Sequence, residues 1–234
     1  MHGLSPLRHH DGIVILWLPS KQLLCMRSAN PHVSVKTRAA VTSETPNRRG
    51  ELVRAAAQLF REKGFDGTTI RDIARAVGMQ SGSPFYHFAN KHELLMAVME
   101  EGLRQGLERA HAVLGDDALP PARRFERLVR THYGILHDTG SDFVPVMLYD
   151  WRSLPAPYRR RIVALKNRYD TLWQHTLDEL HAAGLLRADP KLARLMILGA
   201  INFSATWYQA NSRKRERVGL DELAAQTVSL VLQR

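Results

Sequence analysis

The chain is poor in several features that define other classes of protein. It has one cysteine, Cys25, in 234 residues, which excludes an internal disulfide and favours a reducing cytoplasm. Its longest early apolar run, residues 13–18, is far shorter than the roughly 20 residues of a membrane-spanning helix. No signal-peptide cleavage pattern follows that run. We therefore predict a cytoplasmic protein with no membrane partner.

Motifs of enzymes and metal proteins are missing as well. The sequence has no Gly-x-Ser-x-Gly elbow, phosphate-binding loop, His-Glu-x-x-His pair or glycine-rich dinucleotide turn. Its eleven histidines are scattered, and Cys25 lacks a second cysteine with which to build a zinc site. We predict no catalysis, no metal and no cofactor.

Positive charge is in excess and unevenly distributed. The chain has 33 Lys and Arg against 23 Asp and Glu, a formal net charge of +10, which favours a polyanionic partner such as nucleic acid. Residues 46–92 hold +4 of this charge and are the densest positive segment for their length. Residues 1–45 combine scattered prolines with no sustained period, which predicts a disordered N-terminal extension.

The remaining pattern is helical, and alternation typical of strands is absent. Three short helices are predicted at about 48–63, 69–77 and 81–88. The second begins with a capping-box-like pair, Thr69 and Asp72, and Pro84 suits the first turn of the third. Longer helices follow, the first running from Lys91 to about Leu114. The predicted class is all-α.

The string of motifs in residues 52–91 resembles the TetR/AcrR family of transcriptional regulators. Its parts are LVRAAAQLF (52–60), GF (64–65), TTIRDIA (68–74), VG (77–78), GS (82–83) and FYHF (85–88) with Lys91. Two short helices joined by a tight glycine turn are typical of a helix-turn-helix, whose second helix enters the major groove of DNA. Two positions depart from the family pattern: Pro84 stands where Leu or Ile is usual, and Phe85 where Tyr is usual.

The resemblance implies DNA contacts for eleven residues of a DNA-binding domain at 46–92. The expected backbone contacts are Arg48, Arg49, Thr69, Arg71, Tyr86, His87 and Lys91, and the expected groove contacts are Gln80, Ser81, Gly82 and Ser83. Phosphate contacts position a protein and base contacts specify the site, so only the second group should change operator choice. For Phe85 and Phe88, core packing is the favoured role.

The resemblance also implies a homodimer and a small-molecule pocket in a helical ligand-binding and dimerisation domain at 93–234. Residues 195–201 and 220–232 are the expected dimer helices, with an ordinary monomer core as the alternative. The helix that starts at Lys91 is the expected lever between the two domains. The candidate ligand-binding residues are Tyr149, Arg152, Tyr158, Arg161, Tyr169, Trp173 and Asn202.

The C-terminal half contains WRSLP (151–155), LLR (185–187), Asn202 and WY (207–208). With these residues it looks like the subgroup that controls lipid, fatty-acid or sterol catabolism and responds to acyl-CoA. The predicted function is a ligand-responsive repressor that a lipid thioester releases from a double-stranded DNA operator. Two alternatives stay open. A multidrug-type regulator would sense a lipophilic compound and favour a buried acid, for which Asp150 is the candidate. A non-regulatory DNA-associated helical protein would need no pocket.

Overall fold

The computed structural model describes residues 47–79, 83–115, 118–138, 140, 142–208 and 218–233, without the side chains of Ser83 and Phe85. Within these residues the chain forms α-helices and no strand, which confirms the predicted all-α class. The helices are α1 (Arg48–Lys63), α2 (Ile70–Ala76), α3 (Lys91–Leu114), α4 (Pro121–His137), α5 (Phe143–Asp150), α6 (Ala156–Ala182), α7 (Pro190–Trp207) and α8 (Leu220–Val231). Two 3₁₀ turns, Ser83–Tyr86 and Trp151–Ser153, complete the order. The extension predicted at residues 1–45 lies outside the described residues.

Side chains fix where the first helices begin. The Asn47 side chain accepts a hydrogen bond from the Gly50 N–H at 3.0 Å and caps α1. Thr69 and Asp72 form a complete capping box at the start of α2, since each side chain accepts from the backbone N–H of the other. Gly64 ends α1 with φ +73°, a left-handed conformation that glycine adopts without strain.

Apolar side chains form two hydrophobic cores. In the first core, α1 and α2 pack on the start of α3, with Phe60 of α1 and Leu95 of α3 both buried. In the second core, α4, α6 and α7 pack together around Phe125 and Trp173. Helix α3 supplies Met99 to the first core and Leu107 to the second. It therefore runs through both cores, as the lever prediction requires.

Two glycines lie where other helices pack against α3. A Cβ atom on Gly102 would lie 2.8 Å from the Cβ of Phe143 in α5, closer than real Cβ contacts. One turn later, a Cβ on Gly106 would lie 3.5 Å from a ring carbon of Tyr169 in α6, an ordinary contact. Gly102 is thus needed for the packing of α5 on α3, whereas Gly106 leaves some room.

Helix α7 has two different apolar faces. One face, with Ala193, Ile197 and Ile201, is buried in the second core. The opposite face exposes large apolar side chains, including Met196 at 74% and Phe203 at 46%. The helix was expected to be buried on several sides, and in a single chain it is buried on one. None of the helices in the described part of the chain is both long and apolar enough to cross a membrane.

Candidate functional site

The second helix of the predicted helix-turn-helix is a short 3₁₀ turn. The third helix was expected at about 81–88; of residues 83–88, the part of that range that the structure describes, only Ser83–Tyr86 are helical. The Pro84 carbonyl accepts from the N–H groups of both His87 and Phe88, at 2.9 and 3.0 Å, which closes the turn. Phe88 is buried in the first core, which confirms its predicted packing role.

Several of the predicted DNA-contact residues lie on the surface of this segment. Arg71 is exposed on α2, and Tyr86 is the most exposed aromatic residue described, at 90%. The predicted groove residues Gln80, Ser81 and Gly82, and the Ser83 side chain, lie outside what the structure describes.

Arg75 lies on the same surface, although it was not among the DNA contacts predicted from the sequence. It lies four residues after Arg71, so both point from one face of α2. Together with Gly78 and Met79, the two arginines line an open depression beside the turn. The Arg75 guanidinium lies 3.5 Å from the Asp72 carboxylate, whose pKa is lowered chiefly by hydrogen bonds from Thr69. The four-residue spacing from Arg71 could have indicated this position of Arg75 in the sequence.

The two arginines before the helix-turn-helix make contacts within the chain. Arg48 forms an ion pair with Glu51 at 2.8 Å on the exposed side of α1. The Arg49 guanidinium lies 4.8 Å from the centre of the Phe88 ring, a cation–π contact. Thr69, another predicted backbone contact, is exposed but serves as the N-cap of α2. The contact with Phe88 thus holds Arg49 just after the 3₁₀ turn Ser83–Tyr86.

Lys91 has an internal role that the sequence did not indicate. Its ammonium group donates to the carbonyls of Phe65 and Thr68, at 2.9 and 3.0 Å, and lies 4.1 Å from the centre of the Phe65 ring. These contacts tie the start of α3 to the turn between α1 and α2. Because two of its three N–H donors are committed to carbonyls, we leave Lys91 out of the phosphate contacts proposed below.

Helix α5 forms a second link to the DNA-binding segment. At its start, Asp142 pairs with Arg61 of α1 at 2.7 Å. At its end, the Asp150 carboxylate accepts from the Phe65 N–H at 3.2 Å. Burial raises the pKa of the Asp150 carboxyl, and the hydrogen bond from Phe65 partly opposes that shift. Asp150, the acid considered for a multidrug pocket, is therefore bonded to the turn between α1 and α2.

In the C-terminal helices, three predicted ligand-binding residues gather around a histidine. The Tyr169 hydroxyl lies 2.8 Å from His132 Nδ1, and the Asn202 carbonyl oxygen lies 3.0 Å from His132 Nε2. Since that carbonyl oxygen only accepts, Nε2 carries the proton and Nδ1 accepts from Tyr169. The Trp173 ring meets the imidazole edge-on, with centroids 5.6 Å apart. We call these four side chains the His132 cluster.

Burial controls ionisation in the His132 cluster. The imidazole is fully buried, and loss of hydration lowers the pKa of His132 from 6.5 to about 4. Burial also raises the pKa of the Tyr169 hydroxyl above its usual value. Both side chains are therefore neutral near pH 7, and the cluster is a chain of neutral hydrogen-bonding groups inside an apolar core.

The other four predicted ligand-binding residues lie away from the His132 cluster. Tyr149 is largely exposed, and Tyr158 packs against the first core. Arg161 pairs with Glu100 of α3, and Arg152 is exposed. His132 was not predicted, because the scattered histidines were considered only as metal ligands. Its place on the apolar face of α4, four residues before the buried Leu136, was the available signal.

A small cavity lies between α3, α4 and α5. It holds about 10 Å³, room for about one water molecule, and its lining residues are Gly102, Gln105, Arg109, Ile135, Phe143 and Val144. Ile135 also reaches Gly106, where a Cβ atom would lie 3.8 Å from the Ile135 Cδ1, an ordinary contact.

Comparison with known proteins places the chain in a family. A model described as "Bacterial regulatory proteins, tetR family" matches residues 52–98, and "Tetracyclin repressor-like, C-terminal domain" matches residues 118–234. The HTH-type transcriptional repressor KstR2 of Rhodococcus jostii (strain RHA1) is 29% identical over 194 residues, which cover 82% of this chain and 92% of that protein.

Solved structures share the fold over most of the chain. PfiT, described as a superantigen, has a TM-score of 0.69 at 36% identity and covers 82% of this chain and 99% of its own. AibR in complex with isovaleryl coenzyme A and operator DNA has a TM-score of 0.72 at 24% identity and covers 79% of this chain and 98% of its own. Because the C-terminal family model alone spans half of the sequence, this chain belongs to the TetR family of bacterial transcriptional regulators and not to a class of enzymes.

Proposed function

We propose that the protein is a homodimeric repressor that a lipid thioester, such as an acyl-CoA, releases from its operator DNA. One observation carries this proposal: α3 is common to both cores, with the helix-turn-helix at one end and the His132 cluster beside the other. A molecule that enters the second core must displace side chains packed on α3. The same helix holds the DNA-binding segment through Lys91.

The DNA half of the proposal rests on the charged and exposed residues around the 3₁₀ turn. Residues 80–83 would read base edges in the major groove, as in other helix-turn-helix proteins. The proposed backbone contacts are Arg48, Arg49, Thr69, Arg71, Tyr86 and His87, to which the structure adds Arg75 as a candidate. In a symmetric dimer the two segments would enter major grooves about one helical turn, or 34 Å, apart.

The exposed face of α7 supports a dimer. Met196 and Phe203 lie seven residues apart, so they project from the same side of the helix. Helix α8 adds Leu230, which is 88% exposed. Apolar surfaces of this kind mark protein interfaces, and a second copy of the same face would cover them by twofold symmetry.

The effector half rests on an apolar core, a basic surface and two relatives. The second core could surround an acyl group, and the exposed Arg159 and Arg160 near the start of α6 could meet coenzyme A phosphates. The relative KstR2 is a repressor, and AibR was solved with isovaleryl coenzyme A and operator DNA. The buried acid of a multidrug pocket has less support, because Asp150 is bonded to Phe65.

The test is release of the full-length protein from DNA. A binding site is first selected from a pool of random duplexes, and affinity is then measured by fluorescence anisotropy. Thioesters of short, long and ring-bearing acids are added, with coenzyme A alone as the control. We expect at least one thioester to weaken operator binding about tenfold or more, within the usual range of allosteric coupling. If no thioester changes the affinity, the proposed effector class is wrong.

A further inference from the structure

Helix α5 is attached at both ends to one short stretch of the DNA-binding domain. Just before α5, the Asp142 carboxylate accepts a hydrogen bond from the Arg61 guanidinium in the last turn of α1, at 2.7 Å. At the end of α5, the Asp150 carboxylate accepts from the backbone N–H of Phe65. Both attachment points therefore lie within residues 61–65, where α1 ends and the turn to α2 begins.

The Asp142 side chain has no local role at the start of α5. It occupies the N-cap position, where a carboxylate commonly accepts from N–H groups of the first turn, but it makes no such bond. Among the residues that the structure describes, its ion-pair partner is Arg61, which lies 81 positions earlier in the chain. The carboxylate is thus committed to a contact between two helices and not to the cap of its own helix.

Helix α5 also borders the second core. Phe143 belongs to the first core, whereas the next residue, Val144, belongs to the second. Phe143 already packs on Gly102 of α3 more closely than any side chain at 102 would allow, so α5 cannot approach α3 further there. A molecule that enters the second core and presses on Val144 would therefore move α5 away from α3. The small cavity, lined by Phe143 and Val144, marks an opening in the packing at this same point.

The ion pair would pass that movement on to α1. It joins the start of α5 to the end of α1, whereas the contact of Asp150 with Phe65 acts at the other end of α5. Both Arg61 and Asp142 are partly exposed, and water screens exposed pairs so that they contribute little to stability. Removal of the pair should therefore change the coupling between α1 and α5 without unfolding the protein.

We infer that Asp142 is a positioning residue that couples the effector site to the DNA-binding domain, because its ion pair with Arg61 makes α1 follow α5 when an effector displaces α5. Neither side chain is among the proposed DNA contacts, so the pair acts on operator affinity only through the position of α1. This inference rests on the proposed function, because it assigns a route to the coupling between effector and operator.

The test measures the coupling itself and not one affinity alone. The affinity for the thioester that releases DNA most strongly is determined by calorimetry, for the free protein and for the operator-bound protein. The ratio of the two affinities is the coupling factor. The variants are Asp142→Ala, Arg61→Met, the two combined, and Asp142→Glu, which keeps the carboxylate. Glu126→Ala is the matched control, because it removes another partly exposed ion pair, with Arg123, within α4.

We expect a coupling factor of about ten in wild type and in Glu126→Ala, and of about three or less in Asp142→Ala and in Arg61→Met. The double variant should lose no more than either single variant, since both changes remove the same pair. Asp142→Glu should keep most of the coupling. Thermal stability and operator affinity without effector should match those of wild type. A merely structural role would instead lower stability or weaken both thioester affinities alike, and leave their ratio unchanged.

Two results would overturn the inference and leave the proposed function standing: an unchanged coupling factor in Asp142→Ala, or a double variant that loses clearly more coupling than either single variant. If no thioester releases wild type from DNA, the proposed function fails, and this inference fails with it. The three outcomes are distinguishable because the first two require a working thioester response in wild type.

Discussion

Acid should destabilise the protein through His132. The buried imidazole has a pKa of about 4, against 6.5 for an exposed histidine, because burial disfavours its charged form. The unfolded chain therefore binds this proton more readily than the folded chain. The neutral histidine contributes its full stability above pH 6.5, and the contribution is lost as the pH falls from 6.5 toward 4.

The size of the effect follows from the two pKa values. The free energy of unfolding should fall by about 2 kcal/mol at pH 5 and by about 3 kcal/mol at pH 4, relative to pH 7.5. That is a large part of the roughly 5–15 kcal/mol that stabilises a typical domain. Burial also lowers the pKa of His137, so part of any acid effect on the wild type belongs to that residue.

A difference measurement isolates His132. Urea unfolding of wild type and His132→Asn is followed between pH 7.5 and 4 at one fixed protomer concentration, since a dimer's stability depends on concentration. The variant should be less stable at pH 7.5, because it loses hydrogen bonds to Tyr169 and Asn202. The difference in the free energy of unfolding between wild type and variant should then be about 2 kcal/mol smaller at pH 5 than at pH 7.5. His111→Asn, at an exposed position of α3, should show no such narrowing. If the difference in the free energy of unfolding between wild type and His132→Asn does not change with pH, His132 is not a buried, neutral histidine.

Three further predictions follow from other parts of the molecule. Gly102→Ala should lower the free energy of unfolding by about 1–3 kcal/mol through its clash with α5, and Gly106→Ala by less, as measured by urea unfolding. Arg75→Gln should reduce the slope of log operator affinity against log salt concentration by about one and leave the free energy of unfolding unchanged. Lys91→Met should instead lower the free energy of unfolding and keep the salt slope, because the Lys91 ammonium bonds to carbonyls within the chain. Equal salt slopes for Arg75→Gln and wild type would exclude a phosphate contact. Met196→Glu should shift sedimentation toward a monomer and weaken operator binding, and an unchanged dimer would rule out this face of α7 as the interface.

Sequence was most informative where local signals determine the structure. The bounds of α3, Lys91–Leu114, match the predicted helix, because Asn90 caps its start and Gly115 follows its end. The capping box of α2 was likewise visible from the spacing of Thr69 and Asp72. The third helix was overestimated, since a short segment with proline in its first turn closed as a 3₁₀ turn.

These local signals could not predict contacts between residues far apart in the sequence. His132 bonds to residues 37 and 70 positions away, and periodicity within α4 only shows that the histidine faces the core. Lys91 follows the recognition segment directly, which suggested a phosphate contact. Its ammonium turns instead toward carbonyls more than twenty residues earlier. Which partner a polar side chain finds depends on how helices cross, and that is decided by the packing of the whole core.

Those long-range contacts also show that the DNA-binding helices and the C-terminal helices are connected in more than one place. Phe65, in the turn between α1 and α2, is held at both of its backbone polar atoms: its carbonyl by Lys91 at the start of α3, and its N–H by Asp150 at the end of α5. A shift of α5 relative to α3 would stretch one of these hydrogen bonds unless the turn moved as well. Helix α5 also contributes side chains to both cores, as α3 does. The single lever expected at α3 is therefore incomplete, because the turn before α2 is positioned by two helices, α3 and α5, which meet at Gly102 beside the small cavity.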